Sequence, residues 1–124
     1  MKLRVARHTV DLKPIINFYT TVLGLEIIGE FKDHNNYDGI FIGGKSVNWH
    51  LEFTISNEQP NHHPDEDDLL VFYAETVTEY EKIKQNIIAH HIPYVDPKNP
   101  YWKENGITIA DPDGFRVVIA QDKT

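Results

Sequence analysis

Apolar residues return along this chain at two spacings, every second position and every third or fourth, and the two spacings alternate in an order that occurs twice. Residues 3–9 alternate, with Leu3, Val5 and Arg7 on one face and Arg4, Ala6 and His8 on the other, which predicts a strand. Asp11 is placed to cap a helix with Pro14 in its first turn, where a missing N–H does no harm. Ile15, Phe18, Tyr19, Val22 and Leu23 then fall at helical spacing, and Gly24 supplies the C-cap. Strands are predicted over 25–31, 39–42 and 47–55, with a polar loop at 33–38 and a turn at Gly43-Gly44-Lys45. Residues 57–68 are prolines, histidines, acids and amides with no apolar residue, which reads as a linker.

Beyond the linker the order restarts. Residues 69–73 predict a strand. Thr78-Glu79-Tyr80-Glu81 reads as a capping box opening a helix with Tyr80, Ile83, Ile87 and Ile88 on one side. Residues 92–95 predict a further strand, and 96–106 a proline-broken loop carrying Tyr101-Trp102. A hairpin closes the chain: Ile107-Thr108-Ile109-Ala110, a tight Asp-Pro-Asp-Gly turn, then Phe115-Arg116-Val117-Val118-Ile119. The expected fold class is therefore α+β, with two βαβββ modules (1–56 and 69–124) joined by the linker 57–68. Neither module should bury enough surface to fold alone. The two mixed sheets are thus expected to close on each other, or on a second chain, around a concave cup.

Composition narrows the function classes. A length of 124 residues suits one domain. The formal net charge of −7, without a cluster of lysine and arginine, argues against nucleic acid, which needs a cationic surface. The absence of cysteine removes disulfides, thiolate nucleophiles and thiolate metal sites. Neither a signal-peptide pattern nor a run approaching the roughly 18 apolar residues of a membrane span is present, so a cytoplasmic location is expected. Gly43-Gly44-Lys45 lacks the spacing of a phosphate loop, and no nucleophile elbow surrounds Ser46 or Ser56.

The Asp111-Pro112-Asp113-Gly114 turn, taken with Asn17-Phe18-Tyr19 and Leu23-Gly24-Leu25 behind a first strand, resembles the vicinal oxygen chelate superfamily. That superfamily holds glyoxalases, bleomycin-resistance proteins, fosfomycin-modifying enzymes and extradiol dioxygenases. The resemblance implies a small-molecule ligand, a homodimer and, in metal-dependent members, four ligand positions on strands facing the cup. Carried over residue by residue, these positions fall on Arg4, on Glu52 within Leu51-Glu52-Phe53-Thr54, on Asp68 and on Val118. Glu52 and Asp68 can ligate a divalent metal ion, and His50, two residues from Glu52, can supply a displaced third ligand. Val118 cannot ligate, and Arg4 brings a positive charge where a metal's would be. Arg4 can instead pair with Glu52 or Asp68, standing in for the cation, since guanidinium stays charged and binds carboxylate through two parallel N–H groups.

Other candidates sit around these positions. Arg116 shares a face with Val118 and can either bind an anion or rest beside the linker's acids. Trp49 alternates out of phase with His50 and Glu52 and belongs on the helix side, which leaves Trp102 as the candidate lid. Phe72, on the strand opening the second module, is a candidate ligand contact. His62-His63 and His90-His91 are neighbours that point apart, and read as solvated. Three functions fit. The first is a glyoxalase/bleomycin-resistance-like protein that binds a small organic molecule without the full metal-ligand set and without a cofactor. The second is a metal-dependent lyase, isomerase or dioxygenase using Glu52, Asp68 and His50. The third is a metal-free enzyme with His8 or His50 as general base beside Glu52.

Overall fold

The restart of element order is visible in a computed structural model, which describes residues 1–122, as two units that divide between Asn61 and His62. Each carries one mixed sheet with a helix, an α+β arrangement.

In the first unit, β1 (Leu3–His8) leads through Asp11 into α1 (Leu12–Ile16), and the Asp11 side chain accepts from the Lys13 N–H as an N-cap. The helix widens into a π-helical stretch over Asn17–Val22, with the Leu23 N–H bonded to the Phe18 carbonyl, and ends at Gly24 with φ +81°. The sheet follows with β2 (Glu26–His34), β3 (Tyr37–Gly43) and β4 (Trp49–Ile55) in the order β1-β4-β3-β2. β1 runs parallel to β4, and the other two pairings are antiparallel. The polar loop expected at 33–38 is instead a tight hairpin turn. Asn35 and Asn36 both take positive φ, which asparagine tolerates, so β2 and β3 extend almost to the turn. Leu51, Phe53, Ile40 and Ile42 pack on the helix residues Ile15, Phe18, Tyr19 and Val22, all of them buried. The Tyr19 and Phe53 rings lie 5.0 Å apart.

The second unit repeats the path with one strand fewer. β5 (Leu69–Ala74), α2 (Val77–Ala89), the short α3 (Tyr101–Asn105), β6 (Ile107–Ala110) and β7 (Arg116–Gln121) follow in turn, and the strands form a sheet of order β5-β7-β6, again with the first strand parallel to the last. Residues 92–95, expected as a strand, are irregular. Pro93 has no N–H to give to a ladder, and a single bond, Val95 N–H to the Thr108 carbonyl, marks where the strand would have lain. The capping box is two residues earlier than expected. Thr76 caps the Glu79 N–H, and the Glu79 carboxylate accepts from the Glu75 N–H. The loop 96–106 also holds α3, started by Asn99, whose side-chain oxygen accepts from the Tyr101 N–H. On α2, Ile83 and Ile87 are buried whereas Ile88 is exposed. The terminal turn is held by Asp111, whose carboxylate accepts from the Asp113 and Phe115 N–H groups, and Gly114 adopts φ +88°. Among the described residues no helix is long and apolar enough to cross a membrane.

Candidate functional site

Strand alternation divides the first sheet between two faces. Leu51 and Phe53 face the helix, so His50, Glu52 and Thr54 point the other way. Parallel pairing sets Arg4 beside His50, Ala6 beside Glu52 and His8 beside Thr54, and antiparallel pairing sets Phe41 beside Glu52. The face away from the helix therefore carries Arg4, His50, Glu52 and Phe41 together, with His8 farther along.

Arg4 is the hub of this group. Its Nε–H donates to His50 Nε2 at 3.0 Å, and an Nη1–H donates to Glu52 Oε1 at 3.4 Å. The guanidinium lies over the Phe41 ring, 5.0 Å from its centroid, in a cation–π contact. Its side chain is 52% exposed, and that of Glu52 13%. By accepting from Arg4, His50 must be neutral with its proton on Nδ1. Burial, reinforced by the Arg4 and Lys2 charges and opposed by Glu52, pulls the imidazole below its ordinary value, consistent with that assignment. His50 Nδ1 is itself buried and, among the described residues, has no hydrogen-bond partner.

Beneath Arg4 runs a floor of aromatic rings and glycines. Across the β2–β3 pair, Phe41 faces Gly29 and Phe31 faces Gly39. A Cβ on Gly39 would run into the Phe31 ring, and one on Gly29 would come within 3.2 Å of Phe41. Each ring thus leans over a glycine that leaves room for it, the two planes tilted 45° from each other. Phe31 and Phe41 are 5.8 Å apart, and His50 meets Phe41 edge-on at 5.6 Å. Both Phe residues are partly exposed. Neither stood among the residues expected at the site, although Gly39-Ile40-Phe41-Ile42-Gly43 carries the signal. Its period of two puts both glycines and Phe41 on the face opposite the buried isoleucines.

A divalent metal, the alternative that the resemblance leaves open, does not fit these donors. The His50 Nε2 lone pair is taken by an arginine N–H, and Glu52 faces the same cation. Register bears on the other two positions. Arg4 pairs with His50, two residues before Glu52; in the second sheet Leu69 pairs with Arg116, two residues before Val118. The counterpart of Arg4 is by this count Leu69, a hydrocarbon, while Asp68 lies one residue ahead of β5, out of step with the face that holds Val118. The Asp68 side chain is exposed and its N–H bonds to the Asp65 carbonyl. Among the described residues no three His, Cys, Asp or Glu side chains gather to hold an ion.

The remaining candidates are placed as follows. His8 Nδ1 lies 2.9 Å from Thr54 Oγ1, and its Nε2 is 3.0 Å from both Ser56 Oγ and the Glu58 carbonyl, so both ring nitrogens are engaged. Arg116 donates to Glu66 Oε2 and to the Asp96 carbonyl, each at 3.1 Å, and so meets an acid of the linker. Trp102 is partly exposed, meets Tyr101 edge-on and lines a groove of about 600 Å³ with Tyr94, Ile107 and Thr108. Phe72 sits on β5 opposite Ile119 and is partly exposed. Trp49 is half-buried, on the helix-side alternation. His62 packs edge-on against Phe115.

Comparison with known proteins places this geometry. Residues 3–54 match the YycE-like N-terminal domain, and residues 67–121 the YycE-like C-terminal domain. The uncharacterized protein YycE of Bacillus subtilis is 42% identical over 98% of this chain and 88% of its own. A crystal structure of a YycE protein of unknown function from Bacillus subtilis, a putative glyoxalase/fosfomycin resistance protein, superposes with a TM-score of 0.88 at 40% identity, covering 99% of this chain and 90% of that one. The trypanothione-dependent glyoxalase I of Leishmania major gives 0.77 at 20% identity, over 99% and 87% of the two chains. The fosfomycin resistance protein FosX of Mesorhizobium loti gives 0.69 at 7% identity, over 97% and 90%. At these lower identities the likeness is one of fold.

Proposed function

Since this chain belongs to the YycE-like family, within the vicinal oxygen chelate superfamily, we propose that it binds a small organic molecule on the Arg4 face of its first sheet without a resident metal. One observation carries this reading: the first of the superfamily's ligand positions holds Arg4, whose guanidinium bonds the two neighbouring groups able to ligate, His50 and Glu52. A fixed guanidinium supplies positive charge without coordination geometry, which suits binding and orienting a polar molecule. General-base catalysis by His50 or His8 draws no support from this arrangement. The His50 Nε2 lone pair is occupied, its Nδ1 is buried, and both nitrogens of His8 are engaged by Thr54, Ser56 and Glu58.

The test is elemental analysis of untagged protein purified without chelator, run beside a thermal-shift screen of small organic molecules. Metal well below one ion per chain and stabilisation by library members are expected. Stoichiometric zinc, nickel, manganese or iron defeats the reading and favours a metal-dependent lyase, isomerase or dioxygenase. Arg4→His is expected to gain divalent-ion affinity, because it replaces the blocking cation with an imidazole beside His50 and Glu52.

A further inference from the structure

Resting on that reading, we infer that the ligand of the Arg4 face is a carboxylate borne on a flat, conjugated apolar body, clamped by Arg4 and stacked on Phe31 beside the Phe41 ring that Arg4 covers. The guanidinium has five N–H groups. One is given to His50 and one, over a long 3.4 Å, to Glu52, so among the described residues both Nη2 N–H groups and the second on Nη1 have no partner. The side chain is 52% exposed, so these donors are within reach of a solute. Two N–H groups side by side match the two oxygens of a carboxylate.

The orientation of the fork is fixed. His50 holds Nε and the guanidinium carbon sits 5.0 Å from the Phe41 centroid, so less freedom remains to be lost on binding. Local charge agrees: His50 accepts from Arg4 and adds no charge there, and Glu52 offsets Arg4 once. Shape supplies the rest of the assignment. The Phe31 ring lies over Gly39, partly exposed, 5.8 Å from the Phe41 ring and tilted 45° from it, so one open ring face stands beside the ring that Arg4 covers. An open ring face accepts the face of a planar group and gives less contact to a puckered or branched one.

The experiment titrates the whole chain with three probes, followed by amide chemical shifts: 2-naphthoate, its neutral analogue 2-naphthamide, and cyclohexanecarboxylate, an acid with a puckered ring. Binding of 2-naphthoate at least about tenfold tighter than either of the others is expected, the size of one charge-assisted contact or one stacked face. Perturbed resonances should centre on Arg4, Phe41 and Phe31. Arg4→Gln should abolish the preference for acid over amide, and Phe31→Leu the preference for flat over puckered. Should Arg4→Gln fail to fold, Arg4→Lys keeps the charge but loses the planar fork, and is expected to weaken 2-naphthoate severalfold. Equal binding of acid and amide, or an unchanged preference in the Arg4 variants, overturns the carboxylate assignment and leaves small-molecule binding standing. Failure of all three probes together with an empty thermal-shift screen overturns both.

Discussion

At the scale of single residues, Arg4 and His50 form a couple whose energetics can be read separately. The Arg4–Glu52 contact is wet on the arginine side, so Arg4→Ala is expected to destabilise the fold by only about 1 kcal/mol in chemical denaturation. A fully buried pair would give several times more. His50 contributes through pH. Its folded pKa lies below the ordinary value, so between the two values the unfolded chain binds a proton that the folded one refuses. This contribution is complete above about pH 6.5 and is lost as pH falls through the folded value. Denaturation midpoints measured downward from pH 7.5 should therefore drop, and His50→Gln should flatten that limb. An unchanged slope in the variant would place the acid sensitivity elsewhere. Gly39 gives a packing test. Gly39→Ala is expected to destabilise by about 1–3 kcal/mol through the Phe31 ring, with part of the loss recovered in Gly39→Ala/Phe31→Ala.

At the scale of elements, caps and turns that use strong local chemistry are where expectation and structure agree. Asp11, Gly24 and the Asp111 turn do in the fold what their residue types require. Thr76→Ala should cost about 1 kcal/mol, because Thr76, and not Thr78, holds the first turn of α2; Thr78→Ala should be nearly silent. That shift of two residues was hard to see, since Thr76 and Thr78 each precede a glutamate by three. The hairpin at Asn35-Asn36 was hidden because a polar run looks alike whether it is a loop or a turn. Residues 92–95 have strand composition, yet Pro93 spoils the ladder, a case where one missing N–H outweighs the pattern. At the site, alternation was enough to bring Arg4, His50 and Glu52 to one face. The resemblance implies Asp68, whereas register, which sequence does not contain, points to Leu69.

At the scale of the whole chain, each unit leaves two strands at its sheet edges, β1 and β2 in the first and β5 and β6 in the second. Leu3, Ile27, Ile28 and Tyr73 on those edges are all exposed large apolar residues. Edges of this kind invite pairing, and we expect a dimer in sedimentation at micromolar concentration; a monomer there would refute it. The parallel pairing of first strand with last also has a consequence in time. As the chain leaves the ribosome, Leu3–His8 waits for Trp49–Ile55 before it has anything to pair with, and Leu69–Ala74 waits likewise for Arg116–Gln121. Each unit must therefore be made almost in full before its sheet can close. The Arg4 cluster, built across that final seam, is then among the last features of the first unit to exist.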